Sequence, residues 1–263
     1  MRKPWIVALT LLAVTSVACS GGGGGETKNG FSLVKKDTLT VGTELPAPPF
    51  YNQTDYGTMG DGLEADLAKE IGKRIGVSKV VLVRMPFDGL VTGAKCKCDF
   101  DFSQVTINDK RKQVVDFSTP YFDADQGVLV NKGTKVPDLA AAKKLKWGAQ
   151  VTTTGFDKVK EITGSDPQGF PDVTAAFTAL KAKQIDAVML DVPIVAGEAA
   201  KPGSTFEVVG RFPSGEQYGA VLAKGSADTT ALDAIITTLV KEGFIAGLVK
   251  KYFPAAAGVP EIK

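Results

Sequence analysis

Short apolar segments of strand length alternate with segments of helical periodicity from Leu39 to Tyr252. Leu39–Thr43 has the length and composition of a strand, and the segment from Gly62 to Gly76 repeats apolar residues four apart, at Leu63, Leu67, Ile71 and Ile75. A second strand–helix cycle starts at Leu145. Because such alternation builds mostly parallel sheets covered by helices, the chain is predicted to be an α/β protein. Ligands of such sheets bind at the carboxyl ends of the strands.

Residues 1–18 are predicted to be a signal peptide. Arg2 and Lys3 precede an apolar run from Trp5 to Val17, which is too short to span a bilayer. Five glycines follow at 21–25, so this run is separated from any folded core. The protein is therefore predicted to be exported.

The segment Ser16-Val17-Ala18-Cys19 is similar to the lipidation signal of bacterial lipoproteins. Cys19 is accordingly predicted to carry a lipid that holds the protein on the extracytoplasmic face of the cell membrane. Cleavage by ordinary signal peptidase would instead release a secreted, soluble form. Residues 19–37 are rich in glycine and polar residues and are predicted to be a flexible, lipid-anchored linker.

Composition excludes several classes of function. The sequence has no histidine, which rules out Ser–His and Cys–His catalytic pairs and metal sites built on imidazole. Without Arg2 and Lys3, 29 basic residues balance 29 acidic ones. This balance argues against a general affinity for nucleic acid, and no cofactor is predicted.

Cys96 and Cys98 are separated by one residue. A disulfide between them is expected to be strained, and a metal site would need two further ligands that no nearby pattern supplies. They are therefore predicted to be partly buried thiols, and no metal site is predicted.

Seven short motifs follow one another between Leu39 and Gly219. They are Leu39-Thr-Val-Gly-Thr43, Pro48-Pro-Phe50, Gly62-Leu-Glu-Ala-Asp66-Leu-Ala, Thr106-Ile-Asn-Asp-Lys-Arg111, Asp116-Phe-Ser-Thr-Pro-Tyr121, Asp186-Ala-Val-Met-Leu-Asp191 and Gln217-Tyr-Gly219. In this order and spacing, they resemble bacterial extracellular solute-binding proteins of family 3, the amino-acid receptors of ABC importers. The resemblance extends from about residue 39 to residue 253.

The resemblance implies a periplasmic-binding-protein-like fold of two α/β lobes, each a mostly parallel sheet flanked by helices, joined by two hinge strands. Lobe 1 is expected at 38–128 plus 218–263 and lobe 2 at 129–217, with hinges at Val128–Asn131 and Gly215–Tyr218. It also implies a monomeric receptor, not an enzyme, that delivers a polar or cationic amino acid to an ABC permease and its ATPase.

A free amino acid is a zwitterion, so its site needs donors for a carboxylate and acceptors for an ammonium group. Arg111 has the planar fork that grips a carboxylate, and the resemblance assigns it that role, with Thr106 as a co-donor. Thr152 and Thr153 precede a predicted helix, whose free N–H groups favour an anion. The family more often has Gly-Thr at these two positions.

Asp191 ends a predicted strand, and the resemblance assigns it to the ligand ammonium. An alternative role is to cap the helix that begins near Pro193. The Gln104 amide is expected to meet the same ammonium. At the side-chain end of the ligand, Glu44 is expected to favour cationic or amide groups, with Phe87 as a platform. Phe50 is expected to be core.

Two other functions remain open from the sequence. An enzyme of the same fold, such as a cyclohexadienyl dehydratase, would need a cleft carboxyl as general acid, for which Glu44 and Asp191 are the candidates. A ligand sensor that signals without transport is the other.

Overall fold

The protein is described by a computed structural model that covers residues 26–253 and 258–263. The predicted signal peptide, Cys19 and the first part of the linker lie outside these residues. The strands, in chain order, are β1 (Glu26–Lys28), β2 (Phe31–Leu33), β3 (Thr38–Thr43), β4 (Gly57–Thr58), β5 (Lys79–Arg84), β6 (Phe100–Asp101), β7 (Val115–Phe117), β8 (Phe122–Asn131), β9 (Trp147–Gln150), β10 (Gln168–Phe170), β11 (Ala187–Asp191), β12 (Phe206–Tyr218) and β13 (Val221–Ala223).

The helices of the same residues are α1 (Leu63–Ile75), α2 (Phe87–Val91), α3 (Asp109–Lys112), α4 (Leu139–Ala142), α5 (Thr154–Thr163), α6 (Val173–Lys181), α7 (Val192–Ala199), α8 (Thr229–Lys241) and α9 (Phe244–Tyr252). In the described part of the chain, each helix is too short or too polar to cross a membrane.

The first lobe contains a six-stranded sheet with the order β4-β5-β3-β6-β13-β7. β3 is parallel to both β5 and β6, whereas β13 is antiparallel to its neighbours. Helix α1 packs its apolar residues at intervals of four into the core, and Leu63, Leu67, Ile71 and Ile75 are all buried, as predicted. Gly76 then ends α1 in a left-handed conformation.

The second lobe contains a five-stranded sheet with the order β10-β9-β11-β8-β12. β9 is parallel to β10 and β11, and the two long strands β8 and β12 are antiparallel to each other. Apolar clusters cover both faces of this sheet. The mixed sheets flanked by helices confirm the predicted two-lobed α/β class.

The predicted hinge at Val128–Asn131 is wrong. These residues pair with β11 on one side and β12 on the other, in the middle of the second sheet. Their apolar composition, Val-Leu-Val at 128–130, is typical of a central strand buried on both faces. The chain passes between the sheets earlier, where Ser118 and Tyr121 donate backbone hydrogen bonds to Ala220 and Tyr218.

The predicted flexible linker is wrong for residues 26–37. β1 and β2 form a hairpin whose two-residue turn, Asn29-Gly30, has positive φ at both positions, as a type I′ turn requires. Phe31 and Leu33 of β2 are fully buried in the first lobe's core. The Asn-Gly pair followed by alternating apolar residues was the sequence signal for this hairpin.

The last residues also lie elsewhere than predicted. We expected lobe 1 to extend to residue 263, but Ile262 is buried in the core of the second lobe. Glu261 pairs with Arg211 of β12, and the Lys263 carbonyl accepts a hydrogen bond from the Leu139 backbone. The last six residues, Gly-Val-Pro-Glu-Ile-Lys, are too few to give a periodic signal of this contact.

Cys96 and Cys98 are joined by a disulfide, so the prediction of two free thiols is wrong. Their Cα atoms are 5.2 Å apart, within the usual range for a bridge of about 4.4–6.8 Å. The loop after α2 therefore brings the two side chains together although only one residue separates them.

Candidate ligand-binding site

Strand ends from both sheets meet at a cleft between the lobes. Seven of the eight predicted binding residues line it, namely Glu44, Phe87, Gln104, Thr106, Arg111, Thr153 and Asp191. The eighth, Thr152, is exposed at the edge and reaches the site through its backbone carbonyl. Hydrogen bonds across the cleft join Gln150 to Glu44 (2.8 Å) and Arg111 to Thr152 (3.0 Å).

Arg111 is placed by the short helix α3. Asn108 caps this helix by accepting a hydrogen bond from the Arg111 backbone N–H (2.9 Å). The guanidinium donates to the carbonyls of Thr106 (2.7 Å) and Thr152 (3.0 Å) and lies 5.4 Å from the centre of the Phe87 ring. Its side chain thus bridges both lobes and rests on an aromatic face.

No carboxylate of the described residues lies within 4.0 Å of the Arg111 guanidinium, although Arg111 is only 5% exposed. Burial lowers the pKa of Arg111 from its ordinary value, and the more distant charges of Asp191 and Glu216 oppose that shift. A buried cation that bonds only neutral carbonyls has remaining N–H groups for an anion. This is the chemistry of a carboxylate-binding site.

Asp191 lies at the carboxyl end of β11 and is buried. Its two oxygens accept hydrogen bonds from the Tyr218 hydroxyl and the Gln126 amide. The side chain makes no capping bond to α7, so the alternative role as a helix cap is not seen. Burial first, and then the charge of Glu216, raises the pKa of Asp191 to about 7. A cationic ligand nearby would favour its ionised form.

Glu216, on the crossing strand β12, was missed by the sequence analysis. Its Oε2 accepts hydrogen bonds from Thr106 of the first lobe (3.0 Å), Thr154 of the second (2.9 Å) and Gln126 (2.9 Å). The Thr106 hydroxyl is therefore directed to Glu216. Glu216 is one of several polar residues in this part of β12, and nothing local distinguishes it in the sequence.

Glu44 follows β3 and faces the cleft. Its carboxylate accepts hydrogen bonds from the Phe87 backbone N–H (3.3 Å) and the Gln150 amide (2.8 Å). Burial is the main cause that raises the pKa of Glu44, and the nearby charges of Asp172 and Asp88 add to it. Glu44 is half-buried and lines the cleft.

Asp172 is a second acidic residue of this end of the cleft that was not predicted. It caps α6 by accepting a hydrogen bond from the Ala175 N–H (2.8 Å) and also lines the cleft. The sequence Pro171-Asp172 before an apolar helix is a recognisable capping signal. The signal locates the helix start, but it does not reveal that this start faces the cleft.

Gln104 has φ of 52°, which is unusual for a residue other than glycine. Both its backbone N–H (3.0 Å) and its amide nitrogen donate to Glu64, a fully buried carboxyl that also accepts from the Tyr121 hydroxyl. Burial raises the pKa of Glu64 to about 7. One N–H of the Gln104 amide is thus occupied, and its amide oxygen remains available as an acceptor.

Thr153 caps α5, since its hydroxyl accepts from the Phe156 N–H (3.1 Å) and donates to the Gln150 carbonyl (2.7 Å). Phe50 is fully buried against Phe122, Tyr218 and Phe253 and does not line the cleft. The expectation that Phe50 is core is therefore confirmed.

Residues 39–255 match the family model of the bacterial extracellular solute-binding proteins, family 3. The chain belongs to this family. It is 31% identical over 228 residues to the L-cystine-binding protein TcyJ of Escherichia coli K12, a match that covers 84% of each chain.

Two solved structures are similar to this chain in both sequence and fold. An ancestral arginine-binding protein bound to arginine is 33% identical with a TM-score of 0.70, covering 83% of this chain and 99% of that one. The ancestral amino acid-binding protein AncCDT-1, described as a precursor of cyclohexadienyl dehydratase, is 30% identical with a TM-score of 0.68, covering 82% and 95%. The comparisons therefore show both the family and the fold.

Proposed function

We propose that this family member is an extracytoplasmic receptor that binds a cationic amino acid and delivers it to an ABC permease. The observation that carries the proposal is the buried Arg111 guanidinium, which lacks a carboxylate partner among the described residues and lies against the cleft. A ligand carboxylate would supply the missing counter-ion.

The charges that line the cleft favour a cationic side chain. Arg111 is its one basic lining residue within the described chain, and Glu44, Asp172 and Asp191 are acidic. In the proposed complex the ligand carboxylate pairs with Arg111 and the α-ammonium with Asp191. Glu44 and Asp172 then face the far end of the ligand, where a guanidinium or ammonium group would neutralise them. An acidic side chain would be repelled there.

In this proposal, the two lobes close around the ligand, and closure increases the affinity. The two lobes already contact each other through the bonds from Gln150 to Glu44 and from Arg111 to Thr152. Closing the lobes by a hinge excludes water from the bound charges and strengthens their interactions. Delivery to the permease and its ATPase, and anchoring by a lipid on Cys19, are part of the same proposal and rest on the family and on the N-terminal sequence.

The proposal is tested by thermal unfolding of the purified protein with each of the twenty amino acids and ornithine, because a ligand that binds the native state raises the melting temperature. Arginine, lysine or ornithine is expected to raise it, and glutamate to leave it unchanged. The double variant Glu44→Gln/Asp172→Asn should lose the preference for cationic over neutral amino acids. Asp109→Asn, at an almost fully exposed carboxyl on α3, is the matched control.

A neutral or acidic amino acid that stabilises the wild type most strongly would contradict the cationic assignment. No response to any amino acid would contradict the receptor itself.

An enzyme of the cyclohexadienyl dehydratase type is the second candidate. One observation favours it: the carboxyl of Asp191, in the cleft, has a pKa raised to about 7, which suits a general acid near neutral pH. Product formation from prephenate, lost in Asp191→Asn, would support this enzyme. Binding of an amino acid without turnover would support the receptor.

A further inference from the structure

The disulfide lies in the loop between α2 and β6, away from the cleft lining. A carboxylate oxygen of Asp101 and the two sulfurs of Cys96 and Cys98 all lie within 4.8 Å of one another. Cys98 Sγ is 3.4 Å from Asp101 Oδ1, and Asp101 is only 6% exposed. A buried carboxyl group therefore contacts one sulfur of the bridge.

The surroundings of Asp101 leave this carboxyl without an ionic partner. Its backbone pairs with Gly42 of β3 and Val221 of β13, and no cation of the described chain lies within 4.0 Å of it. A Cβ at Gly42 would lie 1.8 Å from Asp101 Oδ1 and 3.0 Å from Cys98 Sγ. The glycine thus makes the space in which carboxyl and sulfur meet.

Tyr51 is the titratable group that interacts with Asp101 from the core side, and burial, Glu64 and Asp101 together raise the pKa of Tyr51 well above its usual value. Burial alone raises the pKa of Asp101 to about 7. On the solvent side, Lys95 and Lys97 are exposed on either side of the partly exposed Cys96. Such cationic neighbours stabilise thiolates and attract an approaching one.

We propose that Cys96 and Cys98 form a thiol–disulfide exchange site in which Asp101 donates the proton to Cys98. The co-reactant is a dithiol. One of its thiolates attacks Cys96 Sγ, an S–S bond forms between them, and the Cys96–Cys98 bond breaks with its electron pair on Cys98 Sγ. That sulfur takes the proton of the Asp101 carboxyl.

The second thiolate of the reductant then attacks the reductant's own sulfur in the mixed disulfide. This step releases Cys96 as a thiolate, which takes a proton from water, and the reductant leaves as a disulfide. Asp101 is reprotonated by solvent. The protein gains two electrons and two protons overall, and the dithiol is oxidised.

The experiment follows reduction of the folded full chain by excess dithiothreitol, with a maleimide quench and mass spectrometry to count the labelled cysteines. Rates are divided by the concentration of dithiothreitol thiolate between about pH 5.5 and about pH 8.5. In the wild type the corrected rate constant is expected to fall as the pH rises past the Asp101 pKa. Asp101→Asn should be slower at the acid end by at least about 10-fold, with a flat profile, since an amide cannot donate the proton.

Asp166→Asn, at an exposed carboxyl in the second lobe, is the control and should follow the wild type. A flat corrected profile in the wild type would overturn the proton-donor role without recourse to any variant. Reduction of the bridge only after the protein is unfolded would show a structural disulfide and overturn the exchange site. Thermal unfolding of Asp101→Asn establishes that its rate is measured on folded protein.

Discussion

Replacement of Arg111 by methionine tests whether the guanidinium is required for ligand binding but not for the stability of the fold. The guanidinium is buried, has a lowered pKa because of that burial, and donates to two backbone carbonyls. Methionine retains much of the length of the side chain and its contact with Phe87, and it removes the charge and every donor. The ligand carboxylate would then enter the cleft without its counter-ion.

The loss in affinity follows from the cost of leaving a buried charge unpaired. Removal of one partner of a buried, hydrogen-bonded ion pair costs about 2–5 kcal/mol, which is roughly a 30- to 5,000-fold increase in Kd. The ligand-free protein should behave differently. The substitution removes an unpaired buried charge but leaves two carbonyls without their donor, and these effects oppose each other, so the melting temperature of the free protein should change little.

The assay is isothermal titration with the amino acid that stabilises the wild type, together with thermal unfolding of each free protein. Lys110→Met is the matched control, because Lys110 is exposed and precedes Arg111 on the same short helix. A Kd for Arg111→Met within threefold of the wild type would refute the assignment of the carboxylate to Arg111. Equal losses of binding free energy and of unfolding free energy would refute the claim that Arg111 serves binding and not stability.

The buried carboxyls Glu64 and Asp191 have pKa values raised to about 7, so between about pH 5 and about pH 7 the native state binds more protons than the unfolded chain. The free energy of unfolding should therefore fall from about pH 5 to about pH 8 in thermal melts, and it should fall less steeply in Glu64→Gln. Phe31→Ala removes a fully buried ring of the hairpin and should lower the free energy of unfolding by about 3–5 kcal/mol without changing the Kd. Cys19→Ser should move the protein from the membrane to the soluble fraction, and unchanged fractionation would contradict the lipid anchor.

The secondary structure of the body could be predicted because its signals are local. The repeat of four in α1, the glycine after it and the alternation of strand and helix each follow from the chain itself. Errors arose where a local signal was overlooked or had two meanings. Asn29-Gly30 marks a hairpin turn, and Val128–Asn131 has the apolar composition of a central strand. Both signals were present in the sequence.

The site was predictable only in part, for a different physical reason. Arg111 and Asp191 stand in motifs with a recognisable order, whereas Asp172 is marked only as a helix cap and Glu216 is one polar residue of a long strand. Their place in the site depends on which strand ends face each other across the cleft. That arrangement is tertiary, and no short segment of the sequence predicts it. The pairing of Cys96 with Cys98 likewise depends on the turn of one loop.

Glu216 shows why the orientation of the lobes and the chemistry of the site are linked. One carboxylate oxygen on the crossing strand accepts hydrogen bonds from Thr106 of the first lobe and Thr154 of the second, and its charge raises the pKa of Asp191 beside them. Separation of the lobes would break at least one of these bonds and expose more of this half-buried carboxylate. A bound ammonium group at Asp191 offsets the same negative charge. In the proposed complex, the ligand would therefore stabilise the closed arrangement by offsetting the charge of Glu216, in addition to its contacts with each lobe.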